Sequence, residues 1–453
     1  MSNPGEADAT PITSVRQLAD HIAAGCKPRE RFMIGTEHEK FGFRRTDLAP
    51  PPYAPAGIGA LLESLGAEGW APIRDGDNLI GLNRGAASVS LEPAGQLELS
   101  GAPLATLHQT RDELDEHLRA VRAAAAPLGL GFAPLGFHPT AGRADMPWMP
   151  KGRYAIMRRY MPRVGALGLD MMTRTCTVQV NLDYASEADM ARKLRVALAL
   201  QPVATALFAN SPFSEGRPNG FLSYRAQVWT DTDPDRTGMP AAFFVPDFGF
   251  EHYVEWLLDV PMYFVHRAGG YVDMAGASFR QFMAGAFADG PAGRATVGDF
   301  ADHMTTAFTD VRVKRFLEMR GADAGTPEMM LAQSALWVGL LYDGAALAAA
   351  DALVRTFPWQ NFAALRPVVP RLGLATPWQA GTLRTLAGEM VAIARDGLRA
   401  RGHRDAEGTD ESGYLAPLAA IVAGAPTQAE HWLAHFNGPW QGDVRRIFTA
   451  AEV

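Results

Sequence analysis

The chain has only two cysteines, Cys26 and Cys176, and their separation matches no metal-binding spacing. That excludes a disulfide framework and points to a reducing compartment. The first eleven residues are polar and partly acidic, with no apolar stretch and no arginine, so they read as a flexible terminus rather than a signal or transit peptide. No apolar run reaches membrane-spanning length, because Asp343 and Asp351 interrupt the alanine-rich stretch near 340–354. A soluble, cytoplasmic protein without a membrane partner is expected. Basic residues are scattered and the net charge is -7, which excludes a nucleic-acid footprint. Neither GxxxxGK[ST] nor a GxGxxG on a strand–helix turn occurs, so any phosphate binding must rely on metal ions and arginine. Repeats, low-complexity tracts and linkers are also missing.

What remains is ordinary globular composition, 47% hydrophobic and 20% charged over 453 residues, ample for a large core. The segment Arg31 to Phe43 reads as a strand. Glu37 and Glu39 lie two residues apart in it and project from one face, continued by Phe41 and Phe43, while Ile34, His38 and Lys40 point the other way. Two adjacent carboxylates repel each other. The pair is therefore either the solvated face of an edge strand or a site for a hard cation such as Mg2+.

Similar polar pairs recur. In Leu91 to Ser100, Gln96, Glu98 and Ser100 share a face, and Glu92 precedes a Pro-Ala-Gly bend. In Arg174 to Asp183, Thr175, Thr177, Gln179, Asn181 and Asp183 alternate with Cys176, Val178, Val180 and Leu182; the cysteine is thus a core thiol rather than a nucleophile. A strand is also expected over 311–321, where Glu318 and Arg320 share a face. In one sheet these segments would form a carboxylate-lined cleft with a cation at its edge, suited to Mg2+ ions and a nucleoside triphosphate.

Helices are expected over 14–25 from the Ser14/Gln17 capping signal, over 53–69, over 104–126 with His108 and residues 111–119 on its solvated face, over 186–210 and over 299–310. A hairpin is expected around 83–85 and a short strand over 128–137. Residues 139–162, rich in Pro, Met and Arg, read as a mobile loop, and 211–220 as a turn-rich loop. The triad Asp231, Asp233 and Asp235 is no calcium loop, since Arg236 and Ala242 occupy its glycine and glutamate positions. Residues 327–453 read as packing helices, so 12–453 is taken as a single catalytic domain.

At these same strands the chain resembles plant-type glutamate–cysteine ligases, a family shared by plants and many proteobacteria. The resemblance is carried by Gly35-Thr-Glu-His-Glu-Lys-Phe-Gly-Phe43, Ser90 to Pro103, Arg174 to Leu182, Phe208 to Phe213, Trp229 to Gly238, Asp259 to Phe264 and Leu317 to Asp323, in order over roughly residues 12–440. It implies an α+β fold, a glutamine-synthetase-like antiparallel sheet forming a concave cleft surrounded by helices. It implies ATP-dependent joining of the glutamate γ-carboxylate to the amine of cysteine through γ-glutamyl phosphate, the first step of glutathione biosynthesis, with two or three Mg2+ (or Mn2+) ions. Glu37, Glu39, Glu92, Glu98, Gln179 and Glu318 become the implied metal shell. Arg320 would contact the phosphates and act with Glu39 in catalysis. Arg174, Arg225 and Arg267 are implied candidates for substrate carboxylates. The paired cysteines of plant members fall at Arg111, Met274, Asp289 and Leu331 here, so a switch by those bonds is not expected. A monomer or homodimer is expected. The alternatives are a ligase of the same fold with another amine acceptor and a catalytically silent nucleotide-binding relative.

Overall fold

The structure is a computed structural model and describes residues 8–67 and 69–453. Its centre is a nine-stranded sheet built around β1 (Ile34–Arg44). The other strands are β2 (Ala71–Asp75), β3 (Asn78–Arg84), β4 (Ala87–Leu91), β5 (Leu97–Ser100), β6 (Leu130–Ala133), β7 (Thr177–Leu182), β8 (Val311–Val313) and β9 (Leu317–Asp323). Their order is β8-β9-β7-β1-β5-β4-β3-β2, with β6 pairing the far end of β1, and every pair is antiparallel.

Alternation assigns the two faces. Ile34, Val178, Val180, Leu182, Leu317 and Met319 are buried on the back, with α6 (Glu187–Leu207) and α11 (Pro327–Leu341) in the same core. The expected helix over 53–69 shortens to α2 (Ile58–Gly66), and that over 104–126 becomes α3 (Leu107–Ala125). The first helix is α1 (Val15–Ala23), capped by the Ser14 hydroxyl, although Gln17 returns its bond to Thr13 rather than to Ser14. The front face carries the polar set and is covered by α4 (Gly152–Tyr160), α5 (Gly168–Arg174) and α7 (Tyr224–Val228). Outside this frame lie α8 (Phe250–Asp259), α9 (Phe279–Met283) and α10 (Val297–Met304), and the regular structure after α11 is helical apart from the short pair Pro377–Trp378 and Gly381–Thr382.

Several expectations need correction. Residues 139–162 are not a mobile loop. Met146, Met149, Tyr154, Met157 and Met161 are buried and anchor the segment, including α4, to the core. Residues 311–321 are two strands joined by a tight turn, not one. The helix expected over 299–310 ends at Met304 because Phe308-Thr309 pairs with Thr237-Gly238. His108 is buried rather than solvated, its Nδ1 2.7 Å from the Tyr414 hydroxyl. Of the expected flexible terminus, residues 1–7 lie outside the described residues, while 8–11 are tied down: Thr10 accepts from the Val297 amide at 2.9 Å and Asp8 from that of Gly298. Among the described residues no single helix is long and apolar enough to cross a membrane.

Candidate active site

The register of the sheet places the acidic residues. Glu37 on β1 lies opposite Gln179 on β7, and Glu39 lies opposite Glu98 on β5. Glu92 enters from the turn between β4 and β5, where Gly95, at φ +85, closes the bend; a Cβ there would press on Ile58 and Met149 at 3.1 and 3.2 Å. Gln96 fixes this turn to the opposite wall, donating to the Met172 and Thr175 carbonyls at 3.2 and 3.1 Å.

On β9 a register shift between Met319 and Ala322 inserts one residue, so Arg320 sits on a bulge that re-aims it toward β7. Arg320 donates to Gln179 Oε1 at 2.5 Å and lies 3.2 Å from Glu318. Arg225, at the start of α7, is held by Asp323 through two serines. Ser211 and Ser223 donate to the Asp323 carboxylate at 2.6 and 2.8 Å; Ser211 accepts the Arg225 amide and Ser223 caps α7. The Arg225 guanidinium then donates to the Arg320 carbonyl at 2.9 Å.

These groups line an open cleft of about 660 Å³, bounded by Glu37, Glu39, Glu92, Glu98, Gln179, Arg225 and Arg320 together with Arg153, Tyr154 and Trp229. A second chamber of about 530 Å³ shares its Arg225, Trp229 and Arg320 wall and is flanked by Phe308, Asp310 and Arg366. The electrostatics are lopsided. Burial, then Glu318 and Glu98, raise the carboxyl of Glu37. Burial, then Glu92 and Glu98, raise that of Glu39 well above its usual range, against Arg225 and the Thr177 amide it accepts at 2.9 Å. Buried acids of this kind are stabilised by a cation in the cleft.

Not every residue implied for the site is there. Glu318 shares the face but does not line the cleft. It is fully buried, and Arg312, opposite it on β8, grips both oxygens at 2.5 and 2.9 Å, with Lys314 at 3.8 Å. Although burial alone would raise it, Arg312, Lys314 and Arg320 together hold its carboxyl well below the usual range. Arg174 is a structural arginine: it pairs with Asp170 at 3.0 Å and Glu215 at 3.3 Å and lies over Phe137. Arg267 is another, saturated by both Asp299 oxygens and the Ala292 carbonyl. Neither lines the cleft, so the structure does not bring together the three arginines expected to bind substrate carboxylates: only Arg225 is there. Conversely, Arg153, Tyr154, Met157, Met171 and Met172 line it without having been singled out, because their segments carry no periodic or motif signal, and Trp229 lines it from a segment read only for its resemblance.

The fit to a metal can be stated from the donors. Among the described residues no three His, Cys, Asp or Glu side chains converge on one point. The carboxylates are spread along the cleft, and this suits Mg2+, which binds through one or two protein carboxylates plus phosphate oxygens and water.

The architecture and sequence have known counterparts. A crystal structure of glutamate–cysteine ligase from Francisella tularensis in complex with AMP superposes with a TM-score of 0.55 at 11% identity, covering 92% of this chain and 88% of that one. The fold is thus the glutamine-synthetase-like antiparallel sheet with helices around it. Chloroplastic glutamate–cysteine ligases from Medicago truncatula and Brassica juncea are 49% and 51% identical over 441 residues, 97% of this chain and 85% and 84% of those proteins. That of Arabidopsis thaliana is 50% identical over the same length. Their chloroplastic naming overturns the cytoplasmic expectation, which rested on the polarity of a few N-terminal residues and on cysteine usage. The model of glutamate-cysteine ligase family 2 (GCS2) matches residues 33–450, and the chain belongs to that family.

Proposed function

We infer that this protein is a glutamate–cysteine ligase, joining the γ-carboxylate of L-glutamate to the amine of L-cysteine at the expense of ATP. The observation that carries this reading is the cleft, in which buried carboxylates face Arg320 and Arg225 on a sheet shared with the family. In the reaction the γ-carboxylate oxygen attacks the terminal phosphorus of ATP and ADP leaves. The cysteine amine then attacks the acyl carbon, phosphate leaves, and the amine proton passes to solvent or to the departing phosphate.

Glu37, Glu39, Glu92 and Glu98 are the residues that would hold Mg2+. When bound, the ion supplies charge neutralisation and orientation of the phosphate oxygens. Gln179 orients Arg320 by accepting its Nη1–H, and Arg320 stabilises charge on the transferring phosphoryl group. Arg225, fixed by its bond to the Arg320 carbonyl, presents a buried Nε without an acceptor to the cleft, suited to a substrate anion. Glu318 serves by positioning Arg320 and Arg312.

The test is ADP release with Mg-ATP and glutamate, with and without cysteine and against a panel of other amino acids. Release that needs glutamate and is greatest with cysteine supports the assignment. Release preferring another amine changes the acceptor, and none with any pair indicates a silent nucleotide-binding relative.

A further inference from the structure

Arg153 is an anomaly in the cleft. It is 5% exposed, yet its Nε and Nη2 have no hydrogen-bond acceptor. Its guanidinium sits 5.3 Å from the centre of the Tyr154 ring. The Tyr154 hydroxyl donates to the Leu91 carbonyl at 2.9 Å. A buried guanidinium with two empty donors is costly unless an anion completes it, and its planar fork matches a carboxylate in two-point contact.

The surroundings indicate which anion. Met157, Met171 and Met172 line the same cleft. Thioethers are soft, adaptable apolar groups that receive a thiol well and leave a hydroxyl without partners. Arg153 also lies away from the phosphoryl end. Its carboxylate neighbour is Glu92, at the turn between β4 and β5, whereas Arg320 is on β9, three strand spacings or about 14 Å across the sheet. The other two cleft donors without acceptors, Arg225 Nε and Trp229 Nε1, are on the Arg320 side and suit the donor substrate and its phosphate.

We propose that Arg153 is the recognition residue for the α-carboxylate of the amino acid acceptor, whose thiol side chain turns toward Met157, Met171 and Met172. This rests on the ligase reading above and adds the acceptor subsite to it. Arg153 thereby sets specificity at two points, requiring a carboxylate beside the attacking amine and placing the side chain against thioethers.

The test compares the wild type with Arg153→Gln and Arg153→Lys, using cysteine and its decarboxylated analogue cysteamine as acceptors. For the wild type we expect cysteine to exceed cysteamine in kcat/KM by a hundredfold or more. In Arg153→Gln that ratio should fall below tenfold through a higher KM for cysteine, while the KM values for glutamate and ATP stay within threefold. Arg153→Lys, which keeps the charge and loses the fork, should fall between. A rise in the KM for glutamate instead would assign Arg153 to the donor, and unchanged KM values would make it structural; either overturns the proposal. If Arg153→Gln does not fold, Arg153→Lys and the wild-type cysteine-to-cysteamine ratio decide, a ratio near one being fatal. A wild type that makes no γ-glutamylcysteine would instead overturn the ligase reading, a result separable from normal turnover with unaltered acceptor kinetics.

Discussion

Burial and the neighbouring charges of Glu92 and Glu98 raise the Glu39 carboxyl, so its ionised form is disfavoured in the folded, metal-free protein. The sign of the resulting stability effect follows from linkage. An acid with a raised folded value binds more protons when folded than when unfolded, so the penalty is absent below about pH 4, the unfolded carboxylate range, and grows as pH rises above it. Glu39→Gln removes the ionisable group while keeping its size. We expect this variant, in chelator, to match the wild type at pH 4 and to exceed it by about 1–3 kcal/mol at pH 8 in urea denaturation. Its turnover should fall by two orders of magnitude or more if Glu39 holds the metal. Equal stability of the two proteins at pH 8 would show that Glu39 is not under charge strain.

At the scale of the element, the hairpin of β8 and β9 is organised by one ion pair. Arg312 and Glu318 face each other across the ladder, both fully buried, and Arg312 also donates to the Thr305 and Ala307 carbonyls. Removing one partner of such a pair leaves a buried charge, whereas replacing both with apolar groups is much milder. Arg312→Met should therefore cost about 3–5 kcal/mol, and Arg312→Met with Glu318→Leu should recover most of that stability. The double variant should nevertheless stay impaired in turnover, because Arg320 loses the carboxylate beside it. A double variant no more stable than the single would refute the pairing argument.

This hairpin also marks the limit of what the sequence discloses. Alternation over Thr175 to Asp183 displayed both faces of β7, and the pairs at 37/39 and 96/98 displayed the cleft floor, because period two is a local signal. The turn at Lys314 to Phe316 gave no such signal, being Lys-Arg-Phe without glycine or proline, and the bulge at Arg320 depends on pairing with β7. Arg174 and Arg267 show the same limit: an arginine that binds substrate and one that pairs with Asp170 or Asp299 are alike in sequence. Arg153 lies in a stretch whose own methionines, Met149, Met157 and Met161, pack into a core with Leu61, Leu97 and Phe132, a tertiary effect invisible to periodicity.

At the scale of the molecule, the sheet that carries the cleft and the C-terminal helices share one hydrophobic core. A single core joins Val178 and Leu317 of the sheet, Leu198 and Val203 of α6, Leu336 and Trp337 of α11, and Leu386 and Met390 of the helix Leu383–Arg401. The two last helices cross at glycines in near backbone contact: a Cβ on Gly397 would lie 2.0 Å from the Gly339 carbonyl oxygen, and one on Gly339 2.2 Å from that of Ala394. Neither contact can be relieved by rotating a side chain, so the helices must separate to admit a methyl group. Separation would open the core behind β7, since α11 packs on that strand and Thr36 of β1 is 2.8 Å from Ser334 of α11. Gly397→Ala, some way from any cleft residue, is therefore expected to cost about 1–3 kcal/mol and to lower the midpoint of heat inactivation along with that of unfolding. Activity and far-ultraviolet circular dichroism should be lost together, in one transition, for both wild type and variant. A variant that loses helical signal at a lower temperature while the cleft remains active would mean that the C-terminal helices unfold as a separate unit, and residues 12–453 would have to be divided.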